Sequence, residues 1–304
     1  MKLLAVSSSP HIRDSANTQT IMRDVLIALL PALVASVIIF GFRALLVTIV
    51  CIVAAVASEF IFEKGVKRPV TISDLSAVVT GTLLAFCLPV SVPLWIAGLG
   101  SVIAIVVVKQ LFGGIGHNFA NPAITARIVL LISFGTEMSA WTVDGVASAT
   151  PLATLVGGAA GALPSLPEMF LGNHAGSLGE TCALALLIGL VYLLVRKVIS
   201  WHIPVAFIGT VALFSLVAGQ NTPYQLMAGG LLLGAIFMAT DYSTCPLTTT
   251  GKLVYGVGCG LLTMIIRIWG SNPEGVSYAI LLMNILTPHI NHLTAHKPLG
   301  GATK

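Results

Sequence analysis

What this chain has least of is charge. Only 9% of its 304 residues are Asp, Glu, Lys or Arg, against 56% hydrophobic residues. A soluble domain carries roughly 25% charged residues, so too few are present to coat a water-facing surface of this size. That excludes an ordinary soluble enzyme. Cysteine is sparse and scattered: Cys51, Cys87, Cys182, Cys245 and Cys259 form no CxxC pair. A structural zinc site or a ferredoxin-type cluster wants tighter groupings, so no metal site is expected and the five read as small packing residues. Basic blocks interleaved with aromatics are also missing, which leaves no support for a nucleic-acid partner.

What is present is apolar sequence in long runs, with a mean hydropathy of +0.98. A membrane helix needs about 20 mainly apolar residues, fewer if it stops part-way. Ten segments qualify, at 25–42, 44–62, 75–88, 93–108, 122–134, 181–195, 203–218, 225–239, 253–269 and 276–293. Gly, Pro, Asn or charge marks the breaks, as at 41–43, 64–69, 89–93 and 220–223. The expected fold is therefore an all-α integral membrane protein of about ten transmembrane helices dissolved in lipid. Its expected parts are a tail at 1–24, a five-helix half at 25–134, a loop at 135–179, a second half at 180–293 and a tail at 294–304. The first twenty residues are polar and read as a cytoplasmic tail rather than a cleavable signal.

The basic residues orient these spans. With the N-terminus inside, the inner segments hold Lys2, Arg13, Arg23, Lys64, Lys67, Arg68, Lys109, Arg196, Lys197, Lys252, Lys297 and Lys304. Arg127 falls in the inner half of the fifth span, and only Arg43 and Arg267 fall toward the outside. This follows the positive-inside rule and puts both termini in the cytoplasm. The loop at 135–179 then lies outside, without Lys or Arg but with Glu137, Asp144 and Glu168.

A faint repeat runs through the chain. Val79-Thr80-Gly81-Thr82-Leu83-Leu84 is similar in character to Gly229-Gly230-Leu231-Leu232, and Asn121-Pro122 to Asn272-Pro273. Five spans separate the copies, so two halves of opposite orientation are expected, as in many transporter-like folds. Each Asn-Pro pair suits a helix start, Asn as N-cap and Pro in the first turn. A helix beginning at Pro122 would present free N–H donors to a polar ligand.

Several polar residues stand out. Asp241 ends the eighth span and is expected to cap, to pair with Lys252, or to serve function. Arg267 is expected to pair with Glu274 at the outer face, and Glu59 and Asp74 to be solvated at the inner one. His117, beside Asn118, is the histidine to watch. In the outward loop, Asp144-Gly145-Val146-Ala147-Ser148-Ala149-Thr150-Pro151 offers a threonine hydroxyl among small residues. Pro151 biases Thr150 toward extended backbone.

Many segments resemble, in order, the family that contains the D subunits of Rnf electron-transport complexes and, more distantly, the B subunits of sodium-pumping NADH:quinone reductases. They include Ser9-Pro10-His11-Ile12-Arg13, Lys109-Gln110-Leu111-Phe112-Gly113-Gly114, Asn121-Pro122-Ala123 and the Asp144–Thr150 stretch. Phe170-Leu171-Gly172-Asn173, Gly176-Ser177-Leu178-Gly179-Glu180-Thr181, Phe237-Met238-Ala239-Thr240-Asp241 and Asn272-Pro273-Glu274-Gly275-Val276 complete the set. The resemblance implies FMN esterified through its phosphate to Thr150 by a separate flavin transferase, with Ser148 and Thr154 as rival acceptors. Ala147 and Ser148 depart from the family's usual Ser/Thr and Gly. It also implies riboflavin held without a covalent bond near the cytoplasmic side, with Asn118 and Asn121 as candidates, then Thr80 and Gly81. Asp241 is implied in cation uptake.

The function so implied is a flavin-carrying subunit of an ion-translocating ferredoxin:NAD⁺ oxidoreductase in the bacterial inner membrane. It would relay electrons among other Rnf subunits, coupled to Na⁺ or H⁺ movement. No NAD⁺ motif or iron–sulfur cluster is recognisable, so the chain is not a complete enzyme alone. The alternatives are the B subunit of a sodium-pumping quinone reductase, or a solute channel with a urea-transporter-like architecture.

Overall fold

The structure, a computed structural model, describes residues 16–143, 146–155, 163–270 and 274–295. It is helical almost throughout. Helices α1 (Thr18–Phe40) and α2 (Phe42–Gly65) are joined at Gly41, whose φ of 73° turns the chain between them. Then come α3 (Ser76–Phe86), α4 (Leu94–Val102), which runs on as a π-helical stretch over Ile103–Gln110, and α5 (Pro122–Ser133). The region after α5 holds short elements: α6 (Gly135–Met138), the hairpin β1 (Thr142–Val143) and β2 (Val146–Ala147), α7 (Pro151–Leu155) and α8 (Leu166–Leu171). The remainder is α9 (Ala183–Val195), α10 (His202–Val217), α11 (Thr222–Met227), α12 (Leu231–Leu233, then π-helical over Gly234–Met238), α13 (Thr249–Trp269) and α14 (Gly275–Thr294).

Local chemistry sets the ends of these helices. Asn17 and Thr20 form a reciprocal capping box at the head of α1. Thr248 caps α13 by accepting the Gly251 N–H. Three helices, α1, α2 and α13, are long and apolar enough to cross a membrane by length and composition. Ile38, Val195 and Val217 are among the most exposed side chains, which suits lipid rather than water as the surrounding solvent. With charge excluded from most helix faces, this is a multi-pass membrane protein.

Helices α1 and α9 pack on each other, as do α5 and α14. Helix α2 holds α3 and α4, while α10 holds α13, which in turn holds α14. Both α3 and α12 are short and begin after a residue in left-handed backbone, Leu75 at φ 65° and Gly230 at φ 67°.

Two expectations need correction. The eighth span is not one continuous helix at 225–239: Gly229 and Gly230, both at positive φ, break it between α11 and α12. The stretch after α8 is also not a solvated loop. His174, Ser177, Glu180 and Thr181 are all buried, and the N–H groups of Leu178 and Gly179 donate to Leu88 O and Phe86 O at the end of α3. Helix α3 leaves its last carbonyls unpaired, and this strand of backbone satisfies them. Asn272 and Pro273, the second half of the sequence repeat, lie outside the described residues, as do Asp144, Gly145 and the Ser9–Arg13 motif.

Candidate functional site

A cleft opens at the end of the molecule where α3 begins and α5 starts. Its floor and walls come from α1, α3, the π-helical end of α4, the link into α5, the end of α9 and the chain after α12. Its cavity measures about 100 Å³, and about 790 Å³ when the open mouth is counted. Thr80, Asn118, Asn121 and Asp241 all line it. Four residues from distant parts of the sequence therefore share one cavity. Gly81 does not. It faces α2, where a Cβ would stand 2.9 Å from Cys51 O, so its role is close helix packing. His117 is exposed.

The amides differ in what they can still offer. Asn121 caps α5: its Oδ1 accepts from Ala123 N at 3.0 Å and Ile124 N at 3.2 Å, while Nδ2 donates to Met238 O at 3.3 Å. That uses most of its bonding capacity and ties α5 to the chain leaving α12. Asn118 donates through Nδ2 to Ala120 O at 3.0 Å and its side chain also bonds to the Asp241 carboxylate. Thr80 donates to Ser76 O and keeps its acceptor lone pairs. The Asp241 carboxylate accepts from Ser243 Oγ at 3.1 Å and Thr244 Oγ1 at 3.2 Å, organising a turn at the cleft wall. No ion pair with Lys252 forms among the described residues.

Lys109 also reaches the cleft, and its importance was not legible in advance. Its ammonium is 2.6 Å from Glu59 Oε1 and 2.6 Å from Ser76 Oγ. Gln110 Nε2 donates to the same Glu59 oxygen at 2.6 Å. Glu59 is fully buried rather than solvated as expected, because the π-helical turn of α4 brings Lys109 and Gln110 together against α2. Asp74, half-exposed, accepts from the Ser76 N–H at 2.8 Å and fixes the start of α3.

A second polar region lies deeper. Arg127 on α5 is ion-paired with Glu274 and hydrogen-bonded to Ser277 Oγ and to Cys87 O. Glu274 therefore pairs with Arg127, not with Arg267. Arg267 is completely buried and turns instead to the broken chain before α12, donating to Gln225 O at 2.6 Å, Gln225 Oε1 at 3.0 Å and Ala228 O at 2.7 Å. The interruption at 228–230 frees carbonyls that a continuous helix would have consumed, and the guanidinium collects them. Arg127, Glu180 and Ser277 line a small internal cavity beside these groups.

Thr150 stands at the head of α7. Its hydroxyl accepts the Ala153 N–H at 3.3 Å, its carbonyl accepts from Thr154 N at 3.1 Å, and it is 9% exposed. Although its neighbours are small, the hydroxyl is shielded: Thr before Pro begins a helix, so the side chain folds back as a cap. Ser148 and Ala149 just before it are exposed, whereas Leu152 is buried against Met169 and Ala228. A turn of α7 is thus pinned from below while the approach to Thr150 stays on the surface. Ser148 is the more accessible rival hydroxyl, and Thr154 is half-buried.

Both implied flavins fit the residues present. In the cleft, Ile21, Met22, Val25, Leu83 and Phe237 supply apolar walls for a planar ring, and Lys109 and Asn118 supply polar groups for its edge. At Thr150, an ester on the hydroxyl would release the Ala153 N–H toward a phosphate oxygen.

The sequence matches the family model described as NQR2, RnfD, RnfE over residues 5–300. It is 49% identical over 307 residues to the D subunit of the Na⁺-translocating ferredoxin:NAD⁺ oxidoreductase complex of Acetobacterium woodii, covering 99% of this chain and 96% of that one. It is 42% identical over 321 residues to the D subunit of the proton-translocating ferredoxin:NAD⁺ oxidoreductase complex of Clostridium ljungdahlii, covering 98% and 96%. To the D subunit of the ion-translocating oxidoreductase complex of Marinobacter nauticus it is 37% identical over 341 residues, covering 98% and 95%.

Proposed function

The chain belongs to the NQR2, RnfD, RnfE family, and from that premise we propose that it is the flavin-carrying membrane subunit of an ion-translocating ferredoxin:NAD⁺ oxidoreductase complex. It works among other subunits of that complex in the bacterial inner membrane, both termini in the cytoplasm. One flavin, FMN, is esterified to Thr150 by a separate transferase. A second, riboflavin, sits in the inner cleft. About ten membrane segments in two inverted five-helix halves hold them. The packing of α1 on α9 and α5 on α14 supports that symmetry, as do the matched left-handed starts of α3 and α12.

The observation that carries this reading is the convergence of Thr80, Asn118, Asn121 and Asp241 on one cleft, with Thr150 placed elsewhere, on the far side of α5 in the chain. Bound flavins supply one- and two-electron redox chemistry, while the protein positions them and tunes their surroundings. Here the apolar walls exclude water from a ring, Asn118 offers its amide to the polar edge, and Asn121 holds α5 and the α12 exit in register. Asp241, a carboxylate at the cleft wall, receives the cation on its way in. Coupling then requires that the redox state of the cleft bias cation affinity or access.

The test is the chain expressed with its flavin transferase, run on a denaturing gel and illuminated for flavin fluorescence. A fluorescent band at the mass of this subunit supports the reading; a dark band returns the protein to the class of solute channels.

A further inference from the structure

We propose that Lys109 is a fixed hydrogen-bond donor of the inner cleft, held by Glu59 so that its remaining N–H meets the N1–C2=O edge of the flavin ring bound there. The inference rests on the reading of the cleft as a non-covalent flavin site and names the residue that sets that flavin's potential.

An ammonium has three N–H donors. Two are taken, by Glu59 Oε1 and Ser76 Oγ, each at 2.6 Å. The third has no partner among the described residues, and the Lys109 side chain lines the cleft. Burying a charge is costly unless it is paired and hydrogen-bonded; Glu59 pairs the charge, and the one donor left over, on a residue that lines the cavity, calls for an acceptor on the occupant. Lys109 and Asp241 are the only charged side chains among the described residues of that lining. The cleft thus has the Lys109–Glu59 ion pair on one wall and the Asp241 carboxylate on another. Ser76, the first residue of α3, adds the positive end of a helix to the Lys109 side. A flavin gains negative charge at N1 and the C2 oxygen on reduction, so a cation held there binds the reduced form better than the oxidised one.

Glu59 is the positioning residue. It is fully buried, it accepts from both Lys109 and Gln110, and it fixes the ammonium that would otherwise swing freely on a four-carbon stem.

The experiment uses the assembled complex carrying Lys109→Met, with riboflavin extracted under denaturing conditions and the potential of the non-covalent flavin read by spectroelectrochemistry. The expected result is loss of about tenfold in preference for reduced over oxidised flavin, equivalent to a fall of ~30 mV for a two-electron couple. Covalent FMN content stays unchanged and reports the fold. An unchanged potential with full riboflavin content overturns the role of Lys109 and leaves the cleft reading standing. Absence of extractable riboflavin from the unmodified complex overturns both. A second measurement needs no variant: flavin-depleted wild-type complex is offered riboflavin or 2-thioriboflavin, whose sulfur is a poor acceptor at C2. At least about tenfold weaker binding of the sulfur analogue is expected, since one charge-assisted bond is lost; equal binding overturns the proposal.

Discussion

Arg127 on α5 and Glu274 at the head of α14 are ion-paired across 147 residues of chain. The same guanidinium donates through Nε to Cys87 O at 3.2 Å. One side chain therefore ties the end of α3 to the head of α14. With the Arg196–Asp24 ion pair between α9 and α1, this pair is one of the polar ties between distant helices.

Glu274→Gln should consequently destabilise the protein strongly, by about 3–5 kcal/mol, because it leaves a buried guanidinium without its counter-charge. Replacing both partners together, Arg127→Met with Glu274→Met, should recover much of that loss. Thermal denaturation in detergent of Arg127→Met, Glu274→Met and the double variant forms a coupling cycle. Simple additivity of the two losses would mean that the pair does not act as a unit.

Thr150→Ala should abolish covalent flavin while leaving a folded subunit in the membrane. The lost cap on α7 costs about 1 kcal/mol, too little to unfold a chain anchored elsewhere by Leu152. Thr150→Ser keeps a hydroxyl in the same place and should retain the label. Fluorescence in gel reads both. A label that persists in the Ala variant would move the acceptor to Ser148 or Thr154.

Asp241→Asn keeps the shape of the turn and its bonds from Ser243 and Thr244 but removes the charge. In a complex that pumps Na⁺, the concentration needed for half-maximal turnover should rise several-fold. Turnover with an unaltered Na⁺ dependence would reduce Asp241 to a turn-forming residue.

His174 gives a pH prediction. Burial holds its imidazole below the usual histidine range, with its hydrogen bond to Ala175 O opposing the shift. A histidine depressed in the folded state binds its proton more readily when unfolded, so stability is complete above the unfolded value of about 6.5 and declines as pH falls toward the folded value. Detergent melts between pH 8 and 5 should show this decline, and His174→Gln should flatten it. An equally steep profile in the variant would assign the dependence to other groups.

The membrane character and the approximate helix positions were legible from local pattern, whereas Asn118 and Asn121 were named from the family resemblance and Asp241 apart from them, so their sharing of one cleft was not legible. Hydropathy marks apolar runs, and Asn-Pro marks a helix start. Lys109 and Glu59 were not legible. Each looked like an ordinary inner-surface charge, and only the π-helical turn at Ile103–Gln110 brings them together inside the protein. The pairing of Glu274 was misassigned because proximity in sequence favoured Arg267, whereas the tertiary fold sets α14 on α5. The buried stretch after α8 looked like a loop because it is polar and rich in glycine. Its polarity serves the unpaired end of α3 instead, and at Gly179 a Cβ would stand 2.2 Å from Phe86.

The central claim is that one lipid-embedded chain carries two flavins, one bonded and one not. Denaturing the purified complex, separating this subunit, and weighing both the intact chain and the released small molecules tests it most directly. The account predicts a chain heavier by one esterified FMN that maps to the peptide containing Thr150, together with riboflavin in the released fraction. A chain of unmodified mass, prepared with an active transferase and accompanied by no released riboflavin, would contradict it.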